Sequence, residues 1–146
     1  MSTISVVVPA YNSQSTIIET INSVLEQTFT DFELIVINDG STDRTLELLE
    51  TVQDKRLKVY SYPNGGLPAA RNRGIIRATG EFISFIDADD LWTPDKLELQ
   101  LQALQKNPQA GVAYSWTICM GNNGKSFHPG VSESFQGNVY PNLLVG

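Results

Sequence analysis

The sequence predicts a doubly wound α/β domain: a mainly parallel central sheet with helices on both faces. Three observations lead there. Short apolar runs recur at residues 4–8, 34–37, 57–60, 82–86 and 112–116, the first, second and fourth rich in β-branched residues. Segments with helical spacing lie between the runs. Strand alternating with helix is the pattern of a parallel sheet covered on both sides.

The first, second and fourth runs are nearly continuous, as strands buried on both faces should be. Ile17, Ile18, Ile21, Val24 and Leu25 form one apolar helical stripe. Thr16, with Glu19 three residues later, fits a capping box at its start. Leu46, Leu49 and Val52 form a second, shorter stripe. A third helix is expected from near Pro68 to Gly80, with Ala69, Ala70 and Gly74 permitting close packing. A fourth takes Thr93 as N-cap and Pro94 as its first helical residue, with Leu97, Leu101 and Leu104 as its stripe. Residues 1–116 are read as this α/β domain. From 117 to 146 the chain reads differently, broken by a Gly-Asn-Asn-Gly cluster at 121–124 and by Pro129, Gly130, Gly137 and Pro141. It reads as cut short just beyond Leu143 and Leu144.

The 146 residues carry 10 Lys+Arg against 16 Asp+Glu, a net charge of 10 − 16 = −6. A pI near 4.6 argues against nucleic acid as a partner. It also means that a phosphate-bearing ligand needs a metal ion or a helix N-terminus to offset charge. Cys119 is the single cysteine, so an internal disulfide is excluded and a reducing, cytoplasmic setting is expected. No apolar run approaches a membrane span, and no signal peptide precedes the first strand.

Ligands in open parallel sheets sit beyond the carboxyl ends of the strands. The segments that follow the first four runs all fall on that edge: Pro9-Ala10-Tyr11-Asn12, residues 38–43, Pro63-Asn64-Gly65-Gly66 and Asp87-Ala88-Asp89-Asp90. Three carboxylates within four residues repel one another unless a cation or strong donors compensate. Mg²⁺ and Mn²⁺ suit such oxygen-rich surroundings, although Asp residues also serve turns and caps. Asp39 could accept N–H bonds from a base or hydroxyls from a sugar, or could serve the turn at Gly40. Tyr11 could stack on a planar base or cover the sheet edge. The glycine pair 65–66 opens the third helix, where backbone N–H groups and the helix dipole favour an anion. Arg71 and Arg73 stand two residues apart, so one is expected to face the site and the other to be solvated or structural. No dinucleotide-binding Gly-x-Gly-x-x-Gly, phosphate loop or Gly-x-Ser-x-Gly elbow occurs. His128, the only histidine, sits on a Gly/Pro-rich stretch that suits loop packing better than catalysis.

Four elements in this order and spacing closely resemble the glycosyltransferase family 2 domain with the GT-A fold: residues 6–12, 36–43, 65–74 and 80–90. The resemblance covers residues 4 to about 116. It implies an inverting transfer of sugar from a nucleotide-sugar donor, often a UDP-sugar, to a saccharide or lipid acceptor, assisted by Mn²⁺ or Mg²⁺. By motif position it implies that Pro9, Tyr11 and Asp39 hold the nucleoside, with Arg71 near the nucleotide. Asp89 becomes the expected metal ligand, Asp87 the contact to ribose or to a metal-bound water, and Asp90 a helix-start residue. The family's general base is a carboxylate further along, usually in an acidic pair. No such pair follows Asp95, and Glu133 is the only carboxylate after Glu98. The base is therefore expected beyond Gly146, and residues 117–146 are expected to begin the acceptor side.

Two other enzyme or signalling readings fit less well. A nucleotidyltransferase would carry a Gly/Arg-rich loop after the first strand, where Pro9-Ala10-Tyr11-Asn12 stands. A phosphoacceptor module would carry a lysine after the fifth strand. A non-catalytic nucleotide-sugar-binding module differs from the transferase only in turnover. The acidic composition suits the cytoplasm, with any membrane attachment made through partners or other segments.

Overall fold

The computed structural model describes residues 2–115, 117–121 and 127–129. Four strands, β1 (Ile4–Ala10), β2 (Phe32–Asn38), β3 (Leu57–Ser61) and β4 (Phe82–Phe85), form one parallel sheet in the order β3-β2-β1-β4. Helices α1 (Ile17–Leu25), α2 (Thr45–Glu50) and α3 (Leu67–Arg77) make the crossovers, and α4 (Lys96–Lys106) follows β4. The chain steps outward from β1 to β3, then returns past β1 to β4. Right-handed crossovers therefore place α1 and α2 on one face and α3 on the other. The chain divides into two compact units, Met1–Glu98 and Leu99–Gly146, and the whole parallel sheet lies in the first.

Every residue of β1 and β2 is buried, the environment that unbroken apolar runs require. Side chains alternate between faces along a strand. Val7 of β1 with Ile35 and Ile37 of β2 form a buried cluster with Ala70 of α3, and Tyr60, Tyr62 and Ala78 pack against it. The helix lies close because Gly74 has no side chain: a Cβ there would stand 2.2 Å from Val7 Cγ1.

Four sequence expectations need correction. As an outer strand of the four-stranded sheet, β4 leaves Ile83 and Phe85 exposed instead of burying both faces. Residues 112–115 carry no regular structure, and Trp116 lies outside the described residues. Apolar side chains alone therefore do not make a strand of residues 112–115. A short antiparallel pair follows instead, β5 (Ile118–Met120) with β6 (Phe127–Pro129). The capping box at α1 does not form. The Thr16 hydroxyl donates to the Ala88 carbonyl at 2.9 Å, so the turn after β4 takes the hydroxyl that would have capped the helix. Finally, α4 starts at Lys96, whose N–H bonds back to the Thr93 carbonyl, and Pro94 and Asp95 form a turn before it.

One buried carboxylate was not legible as such. Glu33 of β2 is 2% exposed and accepts from Ser5 Oγ (2.7 Å), Lys58 Nζ (2.8 Å) and both the amide and hydroxyl of Thr79 (2.7 Å each). The Gly80 amide donates to Ser5 Oγ, which ties the end of the α3 connection into the same group. Burial alone would raise the Glu33 pKa, but the bonds from Lys58, Ser5 and Thr79 outweigh it and hold it at about 2 against 4.5. A depressed carboxyl contributes stability that is complete above its unfolded pKa and lost as pH falls through its folded one. Glu33→Gln is therefore expected to lower unfolding stability by up to about 3 kcal/mol at neutral pH. In urea titrations, the gap from wild type should close as pH falls from about 4.5 towards 2.

Candidate functional site

The segments after β1 to β4 converge on the carboxyl edge of the sheet. The loops after β1 and β2 are laced together. Asn12 N–H donates to Ser41 Oγ (3.1 Å), and Thr42 N–H donates to Asn12 Oδ1 (2.8 Å). Ser13 N–H donates to Thr45 Oγ1 (2.8 Å), and Gln14 N–H donates to Asp43 Oδ2 (3.1 Å). Asn12 adopts φ +49°, the left-handed region that asparagine tolerates. Asp43 also accepts from the Thr45 amide and hydroxyl at the start of α2. Desolvation works against the ionised Asp43, but the bonds from Thr45 and Gln14 together prevail and its pKa is lowered. Asp43 thus serves the start of the second helix.

A cavity of about 540 Å³ opens on this edge. Pro9, Tyr11, Asp39, Asp87 and Asp89 all line it, with Asn64, Gly66 and Thr16. Tyr11 is half exposed. Asp39 is nearly buried at 3% exposure. Its carboxylate accepts from Gly65 N–H at 3.1 Å on both oxygens, from Gly66 N–H at 2.8 Å and from Arg73 Nη1 at 2.5 Å. The anion expected at the glycine pair is therefore Asp39 itself, placed at the N-terminus of α3 by the adjoining strand.

The two arginines behave differently from the sequence expectation. Arg73 holds Asp39, and Arg71 Nη2 lies 2.8 Å from Asp87 Oδ1. Residues two apart point about 200° apart around a helix of 3.6 residues per turn. Gly74 seats α3 on β1, and Asp39 and Asp87 follow the strands on either side of β1. One arginine therefore reaches each carboxylate. Neither guanidinium is among the residues lining the cavity, so each meets it through the carboxylate it holds. Sequence reasoning missed Arg73; the signal available was the near-opposite spacing of the pair on a helix between two acidic strand ends.

Residues 87–90 form a turn closed by Asp90 N–H on the Asp87 carbonyl (3.1 Å). Asp89 sits at its tip, exposed, with no hydrogen bond or ion pair among the described residues. Asp90 stands six residues before α4, so it is not a helix-start residue. Burial, then the charges of Asp89 and Asp87, push its pKa up. Among the described residues no group of three His, Cys, Asp or Glu forms a cation cage. Two carboxylates facing an open cavity fit a hard divalent cation whose remaining ligands come from phosphate oxygens and water.

The sequence matches the glycosyl transferase family 2 model over residues 5–142. An uncharacterized glycosyltransferase of Rickettsia bellii (strain RML369-C) is 41% identical over 144 residues, covering 97% of this chain and 20% of the relative. This chain thus spans about a fifth of that relative's length. Among solved structures, S. aureus TarS 1-349 in complex with UDP-GlcNAc superposes with a TM-score of 0.69 and 37% identity, over 74% of this chain and 32% of that one. The mannosyltransferase PcManGT from Pyrobaculum calidifontis, in complex with GDP-Man and Mn²⁺, gives 0.66 and 31%, over 70% and 32%. The sheet and its covering helices are the GT-A fold.

Because Gly74 sets the height of α3, adding one methyl there tests the seating that positions both arginines. Gly74→Ala is expected to destabilise by about 1–3 kcal/mol through overpacking against Val7, despite the better helix propensity of alanine. Guanidinium titrations should show Val7→Ala recovering part of that loss in the double variant.

Proposed function

The chain belongs to glycosyl transferase family 2, and from that premise we propose that it supplies the donor side of an inverting, metal-assisted sugar transfer. The donor is a nucleotide-sugar, a UDP-sugar by preference, and the acceptor a saccharide or a lipid. The observation that carries this reading is one cavity that gathers an exposed aromatic ring, a fixed carboxylate and an Asp-x-Asp turn at the carboxyl edge of the sheet. Tyr11 stacks on the base, with Pro9 beside it. Asp39 accepts a hydrogen bond from the base edge. Arg71 orients Asp87 towards ribose or a metal-bound water. Asp89 is the direct ligand of Mn²⁺ or Mg²⁺, which when bound offsets the charge of the leaving diphosphate.

The charge balance favours the same reading. A chain of net charge −6 does not attract a diphosphate unaided. The two nearby arginines are engaged by carboxylates, and the glycine amides by Asp39. None of the described residues that line the cavity is a lysine or arginine, and a cation at Asp89 would supply the positive charge.

Calorimetric titration of UDP is expected to give binding in Mn²⁺ and none in EDTA; equal affinity in both would overturn the metal's role. Asp89→Ala is expected to remove the metal-dependent part of the affinity while leaving the thermal melt unchanged. Tyr11→Ala is expected to weaken UDP binding by about 1–3 kcal/mol, the scale of a base–aromatic stack. Unaltered affinity would leave Tyr11 without that role.

A further inference from the structure

We propose that Arg73 is a positioning residue that sets nucleobase selectivity by holding Asp39 as a fixed hydrogen-bond acceptor in the cavity wall. The inference rests on the nucleotide-sugar reading above and adds a determinant of which base is taken. The guanidinium of Arg73 is itself closely held. Its Nη1 donates to Asp39 Oδ1 at 2.5 Å and to the Pro63 carbonyl at 3.0 Å. Its Cζ lies 4.7 Å from the centre of the Tyr62 ring. On a third side stands Gly65, where a Cβ would come within 3.0 Å of Nη2. Arg73 does not line the cavity, whereas Asp39 does.

The consequence follows from what a clamped carboxylate offers. With Arg73 and two glycine amides on it, Asp39 can neither change rotamer nor turn away without abandoning several bonds in a nearly buried place. It presents an acceptor, at one position. A uracil edge carries an N–H donor between its two carbonyls, whereas cytosine carries a bare ring nitrogen there. A fixed acceptor pairs with the first and leaves two facing lone pairs with the second, a mismatch that discriminates strongly in a buried site. Without the clamp, Asp39 gains freedom to admit water or to rotate, and that penalty shrinks.

The test measures UDP and CDP affinity by calorimetry at constant Mn²⁺ for wild type, Arg73→Met and Arg73→Lys. Wild type is expected to prefer UDP by about tenfold or more, the scale of one unpaired polar group. Arg73→Met should bring the two nucleotides within about threefold, chiefly by weakening UDP. Arg73→Lys should restore part of the ratio, since an ammonium still pairs with Asp39 but lacks the planar fork that also stacks on Tyr62. An unchanged ratio in Arg73→Met, or equal weakening of both nucleotides, overturns the role given to Arg73. If Arg73→Met does not melt cooperatively, Arg73→Gln takes its place, since it also removes the charge that holds Asp39, and an unchanged ratio there is equally decisive. A wild type that binds neither nucleotide overturns the underlying reading, which keeps the two failures distinct.

Discussion

Helix α3 is held at both ends by carboxylates of one strand and its loop, and the candidate site depends on that arrangement. Glu33 receives the Thr79 amide and hydroxyl just beyond the end of the helix. Asp39 receives the Gly65 and Gly66 amides just before its start. Six residues of strand span about 20 Å, and the twelve helical steps from Gly66 to Ala78 span about 18 Å, so the two spacings match. Between these anchors, residues 35 and 37 of the same face are isoleucines packed against the helix. The face reads as carboxylate, apolar, apolar, carboxylate. Each buried charge is met by donors that the fold must supply anyway, at a helix start and at the turn after a helix end.

With α3 fixed along its length, the glycine at position 74 decides its height over β1, and two arginines then fall on opposite flanks. This arrangement uses the chain's nearby positive charge to orient its own carboxylates. A protein of net charge −6 thereby presents ordered acceptors in a cavity whose described lining residues include no lysine or arginine.

Much of this architecture was legible because burial leaves a direct mark on sequence. The apolar runs of β1 and β2 and the stripe of α1 appear close to where they were expected. Residues 112–115 depart from the expected strand because apolar side chains do not by themselves specify the pairing a strand requires. The cavity-lining residues Pro9, Tyr11, Asp39, Asp87 and Asp89 could be gathered from topology alone, since every parallel strand ends at the same edge. What topology did not yield was partnership. Thr16 looks like a cap by spacing, yet its hydroxyl bonds a residue 72 positions away. Arg73 looks like a solvated neighbour of Arg71, yet it holds the most buried carboxylate of the site. Glu33 carries no such mark, because the continuous apolar run starts at Leu34, one residue after the period-two pattern 33, 35, 37, 39 begins.

Four carboxylates on these elements form a series, and their differences come from donors and not from residue type. Glu33 is closed by Ser5, Lys58 and Thr79 and lies at the opposite end of β2 from the cavity, so it serves the fold. Asp39 is closed by its own chain on one side and reaches the cavity on the other. Asp87 has one arginine and is about half exposed. Asp89 is exposed, with no donor among the described residues. A carboxylate surrounded by donors has little left to gain from a ligand, whereas one without them repels its neighbours until a cation arrives. Asp90 shows the cost of that crowding, since Asp89 and Asp87 add to burial in raising its pKa. Protein coordination therefore falls along this series and, among the described residues, is lowest at the turn tip.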